Sequence, residues 1–111
     1  METPSQEIPQ ESFRKLLREL RRRWRDMFEA LAAGGDLPPG RRLRVEGMME
    51  AALLVGAASE EELIRAMDAC YREAFGRSLD QDFGAGWQCF HPFPEIPAAA
   101  RRAPVFPTTA D

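Results

Sequence analysis

The sequence predicts an all-α protein, a three-helix domain, on three observations. Apolar residues step by three and four through the first third of the chain. A glycine follows each of the periodic stretches. Arg, Glu and Ala outnumber the β-branched residues that strands favour. With 111 residues, 44% apolar and 30% charged, the chain is long enough for one domain with its own core.

Residues 1–8 are polar and contain Pro4, so a flexible arm is expected there. Pro9 suits a first helical position, where its missing N–H costs nothing. Beyond it Phe13, Leu17, Leu20, Trp24, Met27 and Leu31 step by four or three, and Leu16 and Phe28 widen the stripe. This spacing predicts a long amphipathic first helix over 10–33. Gly34 can adopt the left-handed conformation that ends it. Pro38 and Pro39 keep the loop Gly35–Gly40 from being helical throughout.

The second helix is expected over 41–55, stopping at Gly56. Ser59 and Glu62 then have the spacing of a capping box, with three acids in the first turn to suit the helix dipole. The third helix presents Leu63, Ile64, Met67, Cys70, Tyr71, Ala74 and Phe75 on one face and stops at Gly76. So short a link predicts an antiparallel hairpin of helices two and three, with the first helix packed across it.

After Gly76 the pattern changes. Ser78 and Gln81 again have capping-box spacing, so one short turn is expected over 78–83. The run GAGWQCFHPFPEIP mixes glycine and proline with large aromatics. It is expected to cross the core as an irregular aromatic C-terminal strap, because its prolines break helix and central strand. The single helical domain is thus 9–97, followed by a disordered tail over 98–111.

Few residues invite catalysis. His91 is the one histidine, and Cys89 beside it makes two ligands where a metal site needs three or four. Asp80 and Asp82 near Gly84 lack the EF-hand pattern. The GAGW sequence lacks the lysine and following helix of a phosphate loop. No catalytic, cofactor-binding or metal-binding residue is assigned, and an enzyme is the weakest class. The N-terminus has no leader-like apolar region, so a reducing cytoplasm with Cys70 and Cys89 as free thiols is expected. Arginine supplies all but one of the 15 basic residues, as in a GC-rich bacterial coding sequence.

Two surfaces remain. Arg14, Arg18, Arg21 and Arg25 fall within about 60° of one another on the first helix. One reading is contact with nucleic acid or an acidic protein. The other is a solvated face of pairs such as Glu11–Lys15, Lys15–Glu19, Glu19–Arg23, Arg22–Asp26 and Arg25–Glu29. Those pairs spare Arg14, Arg18 and Arg21, which are assigned to electrostatic steering. After Ser12 this helix has no Asn, Gln, Ser or Thr to read base edges, and the net charge of −3 argues against a general nucleic-acid binder. Charge is nonetheless polarised, because the basic residues concentrate before Val45 and the acidic ones after it.

The second surface is on helix two. The stretch MMEAALLVGAA carries one charge, Glu50, and is much shorter than the roughly 20 residues of a membrane span. Val45, Met49, Ala52 and Leu53 share one face; Leu43, Gly47, Ala51, Leu54 and Ala58 share the nearly opposite one. A helix apolar all round must be covered on both sides. Either the aromatic strap covers the second face or another chain does. Leu43, Gly47, Ala51, Leu54 and Val55 are the expected dimer or partner contacts, with Gly47 and Ala51 allowing close backbone approach.

The Arg-rich helix 10–33, the greasy helix 41–55, the capped helix 60–75 and the aromatic tail together resemble the QslA-type quorum-sensing antiactivators. These small bacterial proteins bind the ligand-binding domain of a LuxR-type transcription regulator. The resemblance is one of overall plan. It implies a homodimer that breaks the regulator's own dimer and prevents DNA binding. The alternative is a small helical nucleic-acid-binding regulator that uses the Arg-rich first helix.

Overall fold

The computed structural model describes residues 4–97, with side chains from Gln10 onward. The expected disordered tail and the first three residues of the expected arm lie outside the described residues. Five helices and no strand occur in the described chain: α1 (Pro4–Ala32), α2 (Pro39–Leu54), α3 (Glu60–Phe75), α4 (Leu79–Phe83) and α5 (Trp87–Phe90).

The first helix, α1, begins at Pro4 rather than Pro9, so the rest of the expected arm is helical backbone. Pro4 suits the first helical position, and Pro9 then falls past the first turn, where having no N–H it cannot make the backbone bond to the Ser5 carbonyl. At its far end the Gly35 N–H donates to the Ala30 carbonyl at 2.8 Å and the Gly34 N–H to the Leu31 carbonyl at 3.0 Å. This double bond pattern is a Schellman cap, and it requires the φ of +89° that Gly34 adopts.

Pro39 supplies the first helical position of α2, two residues ahead of the expected start. Gly56, at φ +76°, closes α2 in the same way, with Ala57 N–H donating to Ala52 O at 2.8 Å. Both capping boxes form as their spacing predicts. Ser59 Oγ accepts from the Glu62 N–H and the Glu62 carboxylate accepts from the Ser59 N–H. Ser78 and Gln81 reciprocate in the same manner at the start of α4.

The core is built around α1. Leu20, Trp24, Met27, Phe28 and Leu31 are buried along it, against Val45, Met49 and Ala52 of α2 and Leu63, Met67, Cys70 and Tyr71 of α3. The stripe expected on the first helix is buried from Leu20 onward, with Leu16 and Leu17 packed partly against the core and Phe13 only half-buried. The face expected on the third helix is buried at Leu63, Met67, Cys70 and Tyr71 and half-buried at Ile64, Ala74 and Phe75. Phe28 meets Tyr71 edge-on at 5.3 Å, a favourable aromatic geometry. The extensive contacts are α1 with α3 and α1 with α2, whereas α2 and α3 touch each other sparingly. The first helix is thus the central element rather than one laid across a packed hairpin. Its width explains this: Leu16, Leu17 and Phe28 broaden its apolar stripe enough to serve two neighbours.

The C-terminal strap contains a helical turn, α5, that its glycines and prolines argued against. No proline lies between Gly86 and Phe90, so that short stretch is free to coil. Trp87 is buried, while Phe83 and Phe93 are half-buried against the core. Phe90, expected to help cover the core, is 79% exposed. Ile96 fills the place at the strap's end, and the Phe93–Pro94 peptide bond is cis.

Candidate interaction surface

The helix α2 divides its apolar residues between two opposite faces. Val45, Met49 and Ala52 are buried against α1, and Leu53 packs partly against the core. On the other side Leu43 is 57% exposed, Leu54 85% and Val55 54%, with Gly47 and Ala51 exposed between them. The residues expected to form a contact thus lie together on one open face. Ala58 departs from the expected set, because the Gly56 turn redirects the chain and Ala58 packs partly against the core.

The strap does not cover this face among the described residues. It reaches α2 instead at Glu46, whose carboxylate is buried and accepts the Ile96 N–H at 2.9 Å and the Arg42 guanidinium at 3.0 Å. Glu46 lies next to Val45 on the inner side of the helix, so the strap docks there and leaves Leu54 open. A Cβ placed on Gly47 would meet no heavy atom within 4 Å. The glycine therefore has no packing reason among the described residues.

The arginine face of α1 is partly neutralised. Glu19 accepts from both Arg22, at 2.6 Å, and Arg23, at 2.8 Å, and Arg22 also reaches Asp26 at 3.1 Å. Hydrogen bonds from Arg22 and then Arg23 hold the Glu19 carboxyl down to about 2. Lys15 is left without Glu19, which is occupied by the two arginines. Arg25 pairs with Glu73 of α3 at 3.3 Å instead of with Glu29. Arg14, Arg18 and Arg21 are exposed and have no carboxylate partner among the described residues, as the pairing argument expects.

One basic feature escaped the sequence. Arg41 and Arg44 of α2 line a groove of about 220 Å³ together with Arg22, Arg23 and Asp26 of α1. The RRLR run at the start of helix two was its signal, but periodicity within a single helix cannot show that two helices share a groove.

The acids once compared with a cation loop have structural partners. Asp80 accepts the Trp87 indole N–H at 2.8 Å, and Asp82 accepts from Tyr71 and Arg77. Asp68 accepts the Leu79 N–H at 2.7 Å and so ties α4 to α3. No group of side chains among the described residues could hold a metal ion. His91 stands edge-on to Phe83 at 6.0 Å and 3.8 Å from Glu95. Cys70 and Cys89 are both unpaired; Cys70 is buried, which pushes its thiol up and leaves it a poor nucleophile. No helix among the described residues is long and apolar enough to cross a membrane. No protein-family model, curated protein or solved structure matches this chain.

Proposed function

We propose that this protein is a non-enzymatic regulator that works by protein–protein contact through the outer face of α2. The observation that carries the reading is the open face formed by Leu43, Leu54 and Val55 on a helix whose opposite side is already buried. Covering a leucine gains roughly 1.5–3 kcal/mol, so such a face favours occupation. Small residues at Gly47 and Ala51 allow a helical partner to come close.

The resemblance of overall plan to QslA-type antiactivators supplies the partner in this proposal. The protein forms a homodimer and occupies the dimerisation surface of a LuxR-type transcription regulator in the cytoplasm, releasing that regulator from DNA. Arg14, Arg18 and Arg21 steer the encounter, since exposed charges act more on association rate than on affinity. Adding the protein to a preformed regulator–promoter complex is expected to free the DNA in a gel-shift assay. Retention of the complex at a large molar excess rejects the proposal.

A nucleic-acid-binding reading is favoured by one separate observation, Arg14, Arg18 and Arg21 without a carboxylate partner among the described residues, together with the groove that Arg41 and Arg44 share with α1. It requires binding to duplex DNA alone with a steep salt dependence. An antiactivator shows no such binding in the same assay.

A further inference from the structure

A cleft of about 440 Å³ opens between α1, the turn after α2 and α3. That volume lies within the range of small-molecule sites. Its apolar walls include Leu17, Trp24 and Leu63, and the other apolar side chains that the turn and α3 contribute are alanines, among them Ala58, Ala66 and Ala69. The space exists because these positions carry a methyl group where a longer side chain would fill it.

Two guanidiniums, Arg21 from α1 and Arg65 from α3, line the same cleft, and both residues are exposed. Neither has a carboxylate partner among the described residues. Glu62 is the acid in the lining, and its carboxylate is committed to the Ser59 N–H at 2.8 Å. Trp24 is 1% exposed, and its indole N–H meets no acceptor among the described residues. A buried indole N–H ordinarily has one. That nitrogen is itself buried, so Trp24 lends the cleft its apolar ring rather than a donor, and the cleft combines an apolar body with two guanidiniums that have no carboxylate partner among the described residues.

We infer that the cleft between α1 and α3 binds a small aliphatic carboxylate, its chain against Trp24, Leu63 and the alanines and its carboxylate on Arg21 and Arg65. Guanidinium and carboxylate are matched in shape and charge, which favours this anion over a neutral apolar molecule. The inference is independent of the proposed contact through α2, because none of Leu43, Gly47, Ala51, Leu54 and Val55 lines the cleft.

Decanoate is the probe, titrated into the ¹⁵N-labelled full chain, with butyrate and decanol as controls for tail and charge. The Trp24 indole resonance is expected to move saturably with decanoate, and much less with either control. Arg21→Ala and Arg65→Ala are each expected to weaken binding roughly tenfold, equivalent to about 1.4 kcal/mol. Ala66→Leu is expected to fill the cleft and abolish the response. The arginines are exposed, so their variants keep the test valid should Ala66→Leu fail to fold. Absence of saturable binding up to about 1 mM overturns the inference, that concentration marking an affinity of only some 4 kcal/mol. Equal binding of decanol, or affinity unchanged in both arginine variants, overturns it as well.

Discussion

Glu46 and Ile96 are joined by a hydrogen bond of 2.9 Å across fifty positions of sequence, a buried carboxylate accepting a buried backbone N–H. This bond fastens the end of the aromatic strap to the inner side of α2. Arg42 shares the carboxylate and keeps the charge compensated. Glu46→Ala removes the acceptor and is expected to cost about 1–3 kcal/mol, the penalty of a buried donor without a partner. Glu46→Gln retains an acceptor and is expected to cost less. Urea denaturation of the two variants checks the order, and equal losses would show that the bond to Ile96 contributes nothing.

Gly47 separates the stability of the chain from its assembly. No atom of the described residues stands in the way of a methyl group there. Gly47→Ala is therefore expected to raise the stability of the isolated chain by about 1 kcal/mol, the helix-propensity difference. The same methyl would keep a second helix from approaching closely, so association is expected to weaken. Thermal melts and sedimentation on one sample test both halves. Tighter association in Gly47→Ala would remove the close-approach role from this position.

The two candidate surfaces rank differently. Leu54→Arg is expected to weaken assembly by about 1.5–3 kcal/mol, more than tenfold in Kd. Arg18→Ala is expected to slow association and reduce its salt dependence while changing Kd by less. Kinetic binding measurements at two salt concentrations distinguish them. Equal effects on Kd would undo the assignment of contact to α2 and steering to α1.

Acid reaches the α1 surface through Glu19. Its folded carboxyl lies near 2, below the ordinary value of 4.5, because Arg22 and Arg23 bond its charged form. A lowered folded value means that the unfolded chain takes up the proton first. The stabilisation is therefore present above pH 4.5 and is lost as pH falls from there towards 2. The carboxyl is solvent-exposed, so the effect on stability is small, and the direct check is its NMR titration. Arg22→Ala combined with Arg23→Ala is expected to return the midpoint towards the ordinary glutamate range; an unchanged midpoint would assign the shift to some other cause.

Much of the helical plan was legible because its signals are local. The three-and-four spacing from Leu17 to Leu31 marks residues that are buried or packed against the core, and the capping boxes at Ser59 and Ser78 form as their spacing requires. The division of α2 into a closed and an open face follows from the same periodicity, since Val45 and Leu43 lie on opposite sides of one turn. What could not be read depends on distant partners. Glu46 looks like a surface acid until Ile96 arrives from the other end of the chain. Phe90 looks like core until the turn of α5 directs it outward. The centrality of α1 depends on stripe width, which spacing alone does not rank.

The opening turns of α1 have a consequence of their own. From Gln10 to Lys15 no side chain is buried, whereas from Leu20 onward the same helix is the spine of the core. At 1.5 Å per residue these six positions form a rod of about 9 Å, continuous with the body, in which Phe13 alone is half-buried. Substitutions at its exposed positions, Arg14 and Lys15 among them, leave the packing of the core untouched, so this stretch can change in sequence without endangering the scaffold that carries it.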